Sequence, residues 1–186
     1  MAPRGFTLIE LLVALALAGI LLGLAVPAFR ELVAARRTAA DMNQIAGAIA
    51  AARAEAILRR RTVTFCPGAA GRCGPADTWH AGQLVFVDVD GDGRLDDEDT
   101  LTHALPPLRP GARVRWRAFR ARSYLQFQPR GWTRWQNGSF QYCPPDGDPR
   151  GARMAIVNAQ GRVRMARDGD GDGVVENASG RPLACP

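Results

Sequence analysis

Residues 6–29 are nearly all apolar, and Glu10 is the only charge among them. As an α-helix these 24 residues would be about 36 Å long, against about 30 Å for the hydrocarbon core of a bilayer. A secretory signal peptide is the rival reading: a basic start, a short apolar run, then a cleavage site of small residues. Here the basic start is confined to residues 1–5 and the apolar run is long, so residues 6–29 read as a retained span. Arg4 precedes it and Arg30, Arg36 and Arg37 follow, a weak asymmetry for orientation. A carboxylate inside a spanning helix is costly, which makes Glu10 a functional position by default. The alternative is that Glu10, one turn from the apolar start, reaches the interface.

Beyond Pro27 the pattern becomes amphipathic. Leu32, Val33, Met42, Ile45, Ile49 and Ile57 recur at three- and four-residue steps with alanines between them, and no proline interrupts residues 28–61. One long helix is expected, its second half (within residues 30–61) packing one face on a globular domain. From residue 62 the sequence turns to strands. Residues 62–65, 83–89, 112–119, 124–128, 139–143, 154–157 and 163–166 are candidates, separated by glycine and proline. The clearest alternation places Val114 and Trp116 on one side and Arg113, Arg115 and Arg117 on the other. The expected fold class is α+β, a long N-terminal helix on an antiparallel sheet formed by residues 62–186.

Four cysteines, Cys66, Cys73, Cys143 and Cys185, all follow the apolar segment. An even number in a domain carried outside a membrane points to disulfides, with three pairings open. Zinc is the poorer reading, since there is no C-x-x-C pair and His80 and His103 stand alone. The chain shows no Ser/His/Asp order and no P-loop, so an enzyme is not expected.

Charge is segregated. The segment Asp88-x-Asp90-x-Asp92-Gly93-x-x-Asp96-x-x-Asp99 fits a twelve-residue calcium loop at several positions. It departs in closing on Asp99 rather than glutamate and in following a strand rather than a helix. Asp168, Asp170 and Asp172 repeat the opening, with Glu176 after them. Plain Asp-Gly turns are the alternative to calcium, the one cofactor considered. By contrast, residues 105–145 hold eight arginines and no acid, and Arg162, Arg164 and Arg167 form a second basic cluster. All 24 basic residues are arginine, planar forks suited to phosphate or carboxylate. A net charge of +6 fits association with nucleic acid or an anionic surface without demanding it. A solvated basic surface, or pairing with the aspartate loops, is the alternative.

The N-terminal residues Gly5-Phe6-Thr7-Leu8-Ile9-Glu10 resemble the class III signal of type IV pilins and type II secretion pseudopilins. The resemblance implies a leader, residues 1–5, cut after Gly5 by a prepilin peptidase, with methylation of the new N-terminus at Phe6. It makes Glu10 the assembly glutamate, compensated by a neighbouring subunit's amine, and Pro27 the family's helix-bending proline. Phe65-Cys66-Pro67, Cys73, Trp79, the Val85-Phe86-Val87-Asp88 strand and the late Cys143 and Cys185 are similar to the GspH/FimT family of minor pilins. That resemblance implies a type IV pilin-like fold and Cys66–Cys73 and Cys143–Cys185 bridges. It also implies an inner-membrane anchor with a periplasmic domain, and other pilin subunits as partners. Gly161-Arg162-Val163-Arg164 resembles the motif with which FimT proteins bind DNA for uptake, so duplex DNA is a candidate partner for Arg162, Arg164, Arg167, Arg113, Arg115 and Arg117. A type IV pilus subunit and a type II secretion pseudopilin both remain open.

Overall fold

The structure, a computed structural model, describes residues 5, 7–119 and 122–185. A single helix, α1, covers Leu8–Arg59. Alanine and leucine dominate it, which keeps the side-chain entropy cost low. Pro27 lies inside it and lacks the N–H that would bond the carbonyl one turn back. The helix stops where Arg60 takes a left-handed φ of 53°, after a last turn in which Arg59 pairs with Glu55.

Among the described residues nine strands follow: β1 (Val63–Ala69), β2 (Arg72–Cys73), β3 (Gln83–Val87), β4 (Thr100–Leu105), β5 (Arg113–Ala118), β6 (Leu125–Phe127), β7 (Gly138–Cys143), β8 (Arg153–Val157) and β9 (Val163–Met165). They form two antiparallel sheets. One runs β2-β1-β3-β4 with β6 also bonded to β1; the other runs β5-β7-β8-β9.

The chain divides into two compact units, residues 1–37 and 38–186. In the first, the apolar side chains of α1 are exposed, among them Leu15, Leu21 and Leu24, so this part is long and apolar enough to cross a membrane. In the second, Met42, Ile45, Ile49, Ala52 and Ala56 form the buried stripe of α1 and join one core with Phe65, Trp79, Val85, Phe127, Phe140 and Tyr142. Three- and four-residue spacing puts those helical residues on one face, and each large apolar side chain buried contributes about 1.5–3 kcal/mol. Aromatic rings interlock at its centre: Trp79 meets Phe140 edge-on at 4.8 Å and Trp116 stacks on Phe140 at 4.2 Å.

Two strands were not expected from the sequence, the two-residue β2 and β4. β4 has only exposed or half-buried residues, so it carries no burial alternation; it is an edge strand held by its ladder to β3, with a bulge at Val85/Phe86. The segment read as strand 83–89 ends at Val87, because Asp88 leaves the ladder to begin the acidic loop.

Candidate functional site

At the N-terminus Thr7 and Glu10 form a reciprocal cap. The Thr7 N–H and hydroxyl donate to Glu10 Oε2 at 2.9 and 3.0 Å, and the Glu10 N–H donates to Thr7 Oγ1 at 3.3 Å. This satisfies two backbone donors that a helix start leaves open. The sequence reading gave Glu10 a partner in another subunit and missed this one, although Thr-x-x-Glu is a capping signature. Gly5 is exposed ahead of the helix; Phe6, the expected methylation position, lies outside the described residues.

The cysteines pair as Cys66–Cys73 and Cys143–Cys185, the pairs that the resemblance implied. The second bridge, together with a 2.7 Å bond from Gln141 Nε2 to the carbonyl of Ala184, ties the tail to β7. Val175 and Leu183 of the tail bury against Met154 of β8. The tail thus covers the middle of one face of the β5-β7-β8-β9 sheet.

That face also carries the arginines. Arg117, Ser139, Ile156 and Arg164 are successive partners across the four strands and therefore share a face. Arg113 and Arg115 lie on the same face along β5, and Arg162 precedes Arg164 by two residues at the start of β9. The structure places the two basic groups on one face but at opposite edges, three strand steps apart, which is about 14 Å. All six predicted arginines are exposed, counting Arg167 just after β9. The ion pairs among the described residues are Arg59–Glu55 and Arg109–Asp41, so none of the six is neutralised by an acidic loop. Gly161, first residue of the basic motif, has a structural role: at φ 72° in the β8–β9 turn, its added Cβ would fall 2.3 Å from the carbonyl oxygen of Gly131. A recess of about 450 Å³ lies beside Arg164, Arg167 and Glu176.

The two acidic loops repeat one hydrogen-bond pattern. Asp88 accepts from the N–H of Gly91 (2.7 Å) and Gly93 (3.1 Å); Asp168 accepts from Gly171 (2.7 Å) and Gly173 (2.9 Å). Asp90 accepts from Asp92 N–H, and Asp170 from Asp172 N–H. A closing acid caps the second residue of each loop: Asp99 on Val89, Glu176 on Gly169. In the first loop Asp88, Asp90 and Asp92 each bring an oxygen within 4.8 Å of the others; in the second, Asp168, Asp170, Asp172 and Glu176 do so. Asp96 and Asp99, predicted ligands, are outside that first trio. Asp88 is buried and also accepts from Thr64 Oγ1 (2.5 Å) and Gln126 Nε2 (2.7 Å). Burial raises the Asp99 carboxyl above its usual range, against the lowering effect of the Val89 and Asp96 N–H groups, and Asp96 and Asp88 repel its charge.

A family model described as "Type II transport protein GspH" matches residues 41–161, and one described as "Prokaryotic N-terminal methylation motif" matches residues 1–26. The chain belongs to the GspH family. Two crystal structures of the type IV minor pilin FimU from Pseudomonas aeruginosa (strain PAO1) share its fold: one is 19% identical, TM-score 0.54, covering 85% of this chain and 99% of that one. The other, at 17% identity and the same TM-score, covers 79% and 98%. No curated protein matches the chain in sequence. As a GspH-family chain it is a pilin- or pseudopilin-like structural subunit and not an enzyme, membrane-anchored through its apolar N-terminal helix.

The GspH-family domain has a polar anchor that the sequence reading missed. Arg109 donates to Thr38 Oγ1 at 2.8 Å and to Tyr142 Oη, and it pairs with Asp41 at 3.0 Å; the Tyr142 hydroxyl donates to Asp41 at 2.7 Å. Asp41 and Arg109 are 68 residues apart in sequence, and no local signal joins them.

Proposed function

We propose that the chain is a FimT-like minor pilin of a type IV pilus, cut after Gly5, methylated at Phe6 and anchored in the inner membrane with its folded domain in the periplasm. We also propose that it binds duplex DNA. The observation that carries the DNA reading is the pair Arg162, just before edge strand β9, and Arg164 within it, both exposed and without an acid partner among the described residues. Arg167 and the recess beside it extend the same edge. Contacts of this kind neutralise phosphates, read no base, and weaken steeply with salt. The full chain in detergent should retard a duplex oligonucleotide at low salt, and Arg162→Gln with Arg164→Gln should abolish the retardation. Retention by the double variant would remove β9 from DNA binding.

A type II secretion pseudopilin is the second reading, favoured by the description of the matching family. Deleting the gene separates the two: loss of pilus-dependent DNA uptake supports the first, loss of protein secretion the second.

For the acidic loops we propose a calcium ion at Asp88, Asp90 and Asp92, with Asp96 and Asp99 closing the loop. The support is the convergence of three carboxylates next to four further acids, whose mutual repulsion a cation would offset. Calcium should raise the melting temperature and chelator should lower it; identical midpoints would leave the loop as an Asp-Gly turn.

A further inference from the structure

β5 is the terminal strand of its sheet: β7 occupies one edge and, among the described residues, no strand pairs with the other, where the turn Trp79–Ala81 packs nearby. Among the described residues, no hydrogen bond from outside the ladder reaches the backbone from Arg113 to Arg117. In an antiparallel edge strand, alternate residues direct their N–H and C=O groups outward, a template for another strand. Along this edge runs a groove of about 1100 Å³, lined by β5, by the tail at residues 181–184 and by Asp77 and His80. Two of its lining residues hold buried ring nitrogens without a hydrogen-bond partner, Trp116 Nε1 and His80 Nδ1. The Trp116 ring turns away from the arginines into the core, where it stacks on Phe140.

The charge of the groove is one-sided. Arg113, Arg115, Arg117 and Arg181 line it, all exposed and none in an ion pair among the described residues, against the single acid Asp77. The strand alternates exposed arginine with buried Val114 and Trp116.

We propose that the free edge of β5 docks an extended acidic segment of a partner protein, which joins the sheet as a fifth strand. Residues directly opposite in an antiparallel pair share a face, so the segment carries Asp or Glu at alternate positions opposite Arg113, Arg115 and Arg117, with small apolar residues between. A nucleic-acid backbone would satisfy the arginines but offers no N–H and C=O ladder to the strand edge, which is why the groove favours a peptide. This site is separate from β9 and stands whether or not β9 binds DNA.

The test uses the full chain in detergent and a fluorescein-labelled octapeptide alternating glutamate and valine, followed by fluorescence anisotropy at low salt. Saturable binding is expected, with slowed amide hydrogen exchange at residues 113–118. Arg115→Ser with Arg117→Ser should weaken it about tenfold or more, both positions being exposed and dispensable for packing. The same peptide N-methylated at alternate residues, with its charge intact but no ladder donors, should not bind. The proposal is overturned by absence of binding, by equal binding of the N-methylated peptide, by an unaffected double variant, or by a duplex oligonucleotide that displaces the peptide and loses its own affinity in the double variant.

Discussion

Tyr142 shows how one buried residue joins helix and sheet chemistry. Its phenol is pushed up to about 12, chiefly by burial and then by the hydrogen bond to Asp41, with Arg109 acting in the opposite sense. A folded-state value above the unfolded value of about 10 means that the neutral phenol's stabilisation is complete below pH ~10 and is lost as pH rises through about 12. A difference titration of phenolate absorbance between the wild type and Tyr142→Phe should therefore show a step at about 12. At neutral pH, Tyr142→Phe should cost about 1–2 kcal/mol by denaturant unfolding, because Arg109 and Asp41 each lose a partner. Gly93 is bound by a different constraint. Its φ is 80°, and an added Cβ would lie 2.2 Å from the Tyr124 ring. Gly93→Ala should cost about 2 kcal/mol or more, a larger loss than the same change at exposed Gly171, where nothing lies within 4 Å.

At the scale of elements, the tail depends on the sheet beneath it. Residues 167–185 contain little regular structure and are held by the Cys143–Cys185 bridge, the Gln141–Ala184 bond and the buried Leu183. The bridge closes a loop of 42 residues, for which chain entropy gives about 4 kcal/mol. Cys185→Ser, read by thermal melting under oxidising conditions, should lose most of that. The corresponding loss for Cys73→Ser, whose bridge spans 7 residues, should be smaller, about 2.5 kcal/mol. The first turn of α1 is likewise an element held by side chains. Thr7 and Glu10 cap it within the chain, so Glu10 has a partner before any neighbour arrives.

At the scale of the whole molecule, Glu10 also bears on assembly. A carboxylate in an apolar helix is tolerable where a charge compensates it, and the proposed compensation is the amine of an adjacent subunit. Glu10→Ala should fold normally yet enter filaments at reduced levels, measured by immunoblot of sheared filaments against whole cells. N-terminal sequencing of the native protein should begin at Phe6; a start at Met1 would remove the processing reading.

The sequence was sufficient for those features that a local pattern or a spacing encodes. The apolar run at residues 6–29, the amphipathic stripe of Met42, Ile45 and Ile49, and the β5 alternation of Arg113 to Arg117 can each be read from neighbours along the chain, because helix and strand periods sort side chains before any tertiary contact forms. Tertiary structure decided what depends on elements distant in sequence: the choice among three cysteine pairings, the Arg109–Asp41–Tyr142 contact, and the exposed strand β4, which pairing rather than burial holds in place. It also decided that the two arginine groups stand at opposite edges of one sheet face. Strand order fixes that separation, and strand order follows from which apolar faces can close over a common core.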